Sequence, residues 1–242
     1  MGWVKSTRPG NDSAVGSTLE DLLDIEENNL PLPNAGEWEI KAQRISTSSL
    51  TTLFHTEPSP TALKFVPQIL LPKYGWPHKE AGNKYPQTEM SFRQTITGHS
   101  RSDRGFVVVV DRAVKKVLIS FDAKAVDSRH KVWLKSVKKR GNLAELDPQP
   151  YWGFDDLAAK ARSKLHNCFY LQAETRWEGK NEFFQYSKIM MLSNFSFEGF
   201  LSAIEAGAVL VDFDARTGHN HGTKFRLRQK WLPELYSRVS EL

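Results

Sequence analysis

The chain has 242 residues, enough for one large domain or two small ones with a sizeable core. Its 40% hydrophobic and 11% aromatic content is that of a folded protein and excludes a disordered chain. The net charge of +5 suits a protein that meets phosphates, and no apolar run reaches the ~18–20 residues of a membrane-spanning helix.

Residues 1–15 read as a polar lead-in without the apolar core of a secretion signal, which points to the cytoplasm. A helix is predicted from Ser17 or Thr18 through Leu19, Leu22, Leu23 and Ile25. Ser17-x-x-Glu20 has the form of a capping box, so Glu20 is either a capping residue or an acid facing the next element. A Pro/Asn/Gly-rich connection over 26–36 carries Asn34. The segment Gly36–Ala42 then alternates as a strand, with Trp38, Ile40 and Ala42 directed inward and Glu39 and Lys41 side by side on the other face.

A further strand is predicted at Leu50–His55, followed by a turn at Glu57-Pro58-Ser59-Pro60. Residues 72–90, with Trp76, His78, Lys79 and Lys84 among prolines and glycines, read as a long irregular excursion able to touch a DNA backbone. Strands are predicted at Phe106–Val110, Leu118–Phe121 and Val132–Val137, the last overlapping the basic cluster Lys135, Lys138, Lys139 and Arg140. A helix follows at Asp155–Leu165. Strands at Phe169–Thr175 and Phe183–Met191 come next, then a helix at Phe197–Ala206 ended by Gly207. The single cysteine, Cys168, sits in the apolar run before Leu171 and reads as a buried small hydrophobe; it excludes an internal disulfide. An apolar strand at Ala208–Phe213, a polar hairpin opening into Lys224–Arg228, and a closing helix from Pro233 complete the chain. This order of helices and strands predicts an α/β (mixed α+β) fold with a mixed sheet flanked by helices.

Glu39 and Lys41 carry the clearest chemistry. A carboxylate can hold a divalent metal beside a phosphate, and a lysine two residues on can orient a water and offset phosphate charge. The same spacing is also that of a solvated pair on a polar strand face. In the C-terminal hairpin, Asp212, Asp214, Arg216, His219, His221, Lys224 and Arg226 are either a solvated surface or base-reading groups. Arg and Lys suit guanine O6 and N7, and carboxylates accept from cytosine N4. His219-x-His221 lacks a third metal ligand in the sequence pattern.

Several blocks in order resemble the MvaI/BcnI-type restriction endonucleases, relatives of the nicking endonuclease MutH within the PD-(D/E)xK nuclease fold. They are Gly16–Leu23 with Glu26–Leu30, Gly36–Lys41, Leu53-Phe54-His55 with Pro58, Gln94–Gly98, Tyr151–Asp155, Ala173-Glu174 and His219–Arg226. The resemblance implies an Mg²⁺-dependent hydrolase of double-stranded DNA, with Mn²⁺ as a substitute metal, acting as a monomer of a bacterial restriction–modification system. It implies a short G·C-rich site of the form CC-N-GG and two lobes around a DNA cleft. A catalytic lobe is expected over 1–90 with part of the sheet from later in the chain, and the remaining sheet and recognition lobe over 91–242. It assigns Glu20, Glu39 and Lys41 to the catalytic set, and His55 to the middle of the recognition site.

The departure is at Asn34, where the family pattern has an aspartate metal ligand. Asn34 keeps a carbonyl oxygen but lacks the charge that hard cations prefer. Three readings stay open: an Asp→Asn substitution that stops cleavage, a natural protein that works with asparagine, or a protein that binds DNA and cuts poorly. A MutH-like strand-nicking enzyme is the alternative within the same fold.

Overall fold

The structure is a computed structural model that describes residues 2–25, 37–45 and 47–242. In chain order its strands and helices are β1 (Val4–Lys5), α1 (Ala14–Leu22), β2 (Trp38–Arg44), β3 (Leu50–His55), α2 (Leu71–Tyr74), β4 (Trp76–Pro77) and β5 (Met90–Thr97). Then come β6 (Phe106–Asp111), β7 (Lys116–Phe121), α3 (Lys131–Arg140), β8 (Tyr151–Gly153), α4 (Phe154–Leu165), β9 (Asn167–Glu178) and β10 (Asn181–Phe195). The chain finishes with α5 (Phe197–Glu205), β11 (Val209–Arg216), β12 (His219–Arg228) and β13 (Tyr236–Glu241). The architecture is mixed α+β, as the order of sequence patterns predicts.

The chain divides into two compact units, each assembled from separate segments. The first holds 1–51, 159–199 and 228–242, and the second holds 52–158 and 200–227. Residues 52–90, grouped with the first lobe from the sequence, therefore belong to the second unit.

In the first unit the sheet order is β1-β10-β9-β2, with β13 also pairing β10. β9 and β10 form a long antiparallel hairpin that turns at Gly179, whose φ of +60° favours glycine. β2 joins β9 in parallel register, with Glu39 against Cys168 and Lys41 against Tyr170. The two faces of this sheet differ in chemistry. On one, Ile40, Ala42 and Phe169 pack with Ala14, Val15 and Leu19 of α1 and with Leu171, Ala173, Phe184 and Tyr186. Burying side chains such as Leu19 and Phe184 contributes roughly 1.5–3 kcal/mol each, which is what holds α1 to the sheet. The other face carries Glu39, Lys41, Gln43, Cys168 and Tyr170, because side chains alternate along a strand and paired residues share a face.

The second unit contains the sheet β3-β12-β11-β5-β4 and a three-stranded sheet β6-β7-β8. Its core is aromatic. Phe54 stacks on Phe225 at 5.2 Å between ring centroids, Phe92 meets Phe213 at 5.6 Å, and Trp152 meets Phe225 at 5.1 Å.

Four sequence expectations are corrected. Helix α1 begins at Ala14, with Ser13 as N-cap, so Ser17 lies inside the helix and donates its hydroxyl to the Ser13 carbonyl; there is no Ser17–Glu20 capping box. Val132–Val137 is part of helix α3, not a strand: Trp133 and Val137, four residues apart, bury one stripe while Val132 is 82% exposed. Residues 72–90 include the short α2 and β4, and Tyr74 is fully buried there. Pro233 starts one 3₁₀ turn rather than a helix, and the chain then runs as β13 along β10.

Candidate active site

β2 positions Glu39 and Lys41 two residues apart on the polar face of the first unit's sheet. Lys41 Nζ donates to Glu39 Oε1 at 2.7 Å. Glu39 is only 7% exposed, more buried than a solvated strand carboxylate would be. Its second oxygen, Oε2, is buried and has no hydrogen-bond partner among the described residues. A buried carboxylate oxygen left unpaired costs more than a neutral group would, so its retention calls for a ligand. A hard cation is the ligand that fits a carboxylate oxygen best.

The surroundings of the pair are apolar and basic. Burial pushes the Cys168 thiol up to about 12, with Lys41 opposing and Glu39 adding to the shift. Burial likewise raises the Tyr236 hydroxyl, with Cys168 and Glu39 adding. Lys164, in the last turn of α4, is a member of this group that the sequence pattern did not single out. Its pKa is lowered, first by burial and then by the nearby charges of Lys41 and Lys160, while Glu39 acts the other way. No periodicity marks it. It comes to the site because α4 leads directly into β9, where Asn167 pairs with Trp38.

Of the other expected catalytic residues, Glu20 is half-buried in α1, the helix that packs against the Ile40 face of the sheet. Asn34 lies outside the described residues. Among the described residues no group of three or more His, Cys, Asp or Glu side chains forms a ready metal cluster. The carboxylate of Glu39 is thus the oxygen ligand that the described part of the site displays.

In the second unit the expected DNA-reading residues lie on the sheet of β5, β11 and β12. Asp212, Asp214 and Arg216 alternate with the buried Val211, Phe213 and Ala215, so they share the face away from the core. Asp212 accepts from Thr95 Oγ1 at 2.8 Å and lies 3.5 Å from Arg226 Nη1. Asp214 lies 2.7 Å from Arg93 Nε and 3.9 Å from Lys224 Nζ. Arg216 pairs with the buried Glu89 at 3.0 Å and stacks over Tyr85 at 4.7 Å. Arg93, Thr95, Glu89 and Tyr85 were not singled out from the sequence, because which strand neighbours β11 is a matter of topology.

The tip of the β11–β12 hairpin is held by Glu57. Its carboxylate accepts from Thr223 N at 2.9 Å, Thr223 Oγ1 at 3.0 Å and Asn220 Nδ2 at 3.4 Å. Gly222 has φ +83°, and a Cβ there would meet Glu57 Oε1 at 3.5 Å and His55 Cδ2 at 3.7 Å. His55 is exposed at the end of β3 and so reaches this hairpin. His219 and His221 are exposed and contact each other edge to face at 4.2 Å.

Comparison with known proteins places the chain in the class of restriction endonucleases. The model of the MvaI/BcnI restriction endonuclease family matches residues 1–236, and the chain belongs to that family. It is similar to a solved structure described as a restriction endonuclease MvaI–cognate DNA substrate complex. The identity is 25%, covering 99% of this chain and 92% of that one, with a TM-score of 0.77. It is also similar in fold to restriction endonuclease MvaI in the absence of DNA, at 22% identity, with 99% and 91% covered and a TM-score of 0.56. No match was found among curated proteins.

Proposed function

We propose that this chain is a site-specific endonuclease that hydrolyses phosphodiester bonds of double-stranded DNA with Mg²⁺, at a short G·C-rich site of the form CC-N-GG. Membership of a restriction endonuclease family supports the reaction class. The observation that carries the site assignment is the buried Glu39 carboxylate, with one oxygen on Lys41 and the other without a partner among the described residues. Glu39 would hold the metal with Asn34, and Glu20 would act from the outer shell or orient a water. When bound, Mg²⁺ lowers the pKa of a coordinated water and offsets phosphate charge.

The protein groups do the rest. Lys41 Nζ orients the attacking water and stabilises the charge that builds on the phosphate. The apolar surroundings made by Cys168 and Tyr236 strengthen that interaction by keeping the local dielectric low. On the recognition side, Arg216, Lys224 and Arg226 donate to guanine edges, while Asp212 and Asp214 accept from cytosine or fix the cations. His55, His219 and His221 approach the site from the hairpin tip. The protein acts as a monomer in the bacterial cytoplasm, with Mn²⁺ able to replace Mg²⁺. No helix among the described residues is long and apolar enough to cross a membrane.

One observation favours a second reading: Asn34 stands where an aspartate ligand is expected, which is consistent with a protein that binds its site and cuts it poorly. The test is digestion of plasmid DNA with Mg²⁺ by the protein and by Asn34→Asp. Discrete fragments with a common end sequence from either protein support the endonuclease. Specific binding without cutting by either supports the binding protein. Random degradation, or neither cutting nor binding, refutes the reading.

A further inference from the structure

The sheet face that carries Asp212 and Asp214 has a repeating order that a solvated surface does not require. β5 and β11 are in register, with Arg93 opposite Asp214 and Thr95 opposite Asp212. Each aspartate is flanked on one side by a donor from β5 and on the other by a cation from β12. Arg93 and Lys224 flank Asp214, at 2.7 and 3.9 Å. Thr95 and Arg226 flank Asp212, at 2.8 and 3.5 Å. The two rows are two residues apart along β11, about 7 Å at the usual strand rise.

Arg93 is distinctive within this pattern. Its Nε lies 2.7 Å from Asp214 Oδ1 and its Nη2 donates to Oδ2 at 3.3 Å, so the carboxylate holds one edge of the guanidinium at two points. Five N–H groups radiate from an arginine fork, and this pairing engages one edge of it. Nη1 and the second hydrogen of Nη2 remain along the other edge. The side chain is nevertheless 52% exposed, although its Asp214 partner is largely covered. An exposed pair of this kind adds ~0–1 kcal/mol to stability. Its geometry, however, is that of a fork oriented in advance for a flat two-acceptor partner, which an ammonium could not match. The O6/N7 edge of guanine in the major groove is such a partner.

We propose that Arg93 is a specificity-determining residue, whose guanidinium pairs with a guanine edge while Asp214 holds its orientation. This rests on the reading of the chain as an endonuclease of double-stranded DNA. The test compares wild type, Arg93→Lys and Arg93→Gln on a CC-N-GG duplex, on duplexes with each G·C pair replaced in turn, and on a randomised duplex library with Mg²⁺. Thermal unfolding of each protein checks folding.

The expected result is a loss of about 5- to 150-fold at the preferred site for both variants, with relaxed preference at one base-pair position only, and melting temperatures close to wild type. An equal loss on all sequences, with a shallower salt dependence, would make Arg93 a phosphate contact and overturn the proposal. Unchanged preference and affinity would overturn it as well. If wild type neither cuts nor binds any duplex, the endonuclease reading itself fails and takes this proposal with it. A wild type that cuts at a defined site beside unaffected variants refutes the proposal alone.

Discussion

Glu39→Gln separates a functional carboxylate from a structural one. In the folded protein one Glu39 oxygen accepts from Lys41 at 2.7 Å and the other is buried without a partner among the described residues. A structural buried ion pair broken at one end costs ~3–5 kcal/mol. At Glu39 the charge is not fully compensated, so replacing it by an isosteric amide removes a desolvation cost while the amide oxygen still accepts from Lys41. Stability without metal should therefore change by less than ~1 kcal/mol, or rise. The metal response should vanish. At a Mg²⁺ concentration ten times the dissociation constant, wild type gains ~1.4 kcal/mol, or ~3–6 °C in melting temperature. The Gln variant should gain none of it and should not cut DNA. The assay is thermal unfolding with and without Mg²⁺, at pH 7 and fixed ionic strength with NaCl as balance. A metal-free loss near 4 kcal/mol in the variant, together with no Mg²⁺ shift in wild type, would refute the reasoning and make the pair structural.

Other positions give independent checks. Glu57→Ala leaves the buried Thr223 hydroxyl and its N–H without their acceptor, and should lower stability by ~1.5–3 kcal/mol and weaken site preference; thermal unfolding and cleavage of substituted duplexes measure both. Cys168, with its thiol pushed up to about 12 by burial, stays protonated at pH 8 and should react with a thiol reagent only after denaturation, which a colorimetric thiol titration reads directly. Asn34→Asp should raise cutting most at limiting Mg²⁺, because a carboxylate holds a hard cation better than an amide; initial rates across a Mg²⁺ series test this.

Strand β2 is legible in the sequence because its period is short and both faces are informative. Ile40 and Ala42 meet the core as their alternation implies, and Glu39 and Lys41 share the opposite face. The burial of Glu39 was not legible, since it depends on residues more than a hundred positions away, Cys168 and Tyr236 among them. The α3 segment reads as a strand because Val132, Trp133 and Val137 have high strand propensity, while the helical i, i+4 pairing of Trp133 and Val137 decides the outcome. The segment from Pro233 through β13 reads as a helix because proline is a common first helical residue; hydrogen bonds to β10 override that local signal. The polar face proposed for recognition is legible on β11 and β12, whose polar residues alternate. Its β5 contribution, Arg93 and Thr95, needed the strand order. Lys164 needed the junction between α4 and β9.

The most direct test of the central claim is single-turnover cleavage of a duplex containing the recognition site, with wild type and Lys41→Ala, beside an affinity measurement for the same duplex. The account predicts that Lys41→Ala cuts ~10²–10³-fold more slowly while binding within a few-fold of wild type, because Lys41 acts on charge that develops during the reaction. Equal cleavage by both proteins would contradict the assignment of the Glu39–Lys41 pair as the catalytic centre.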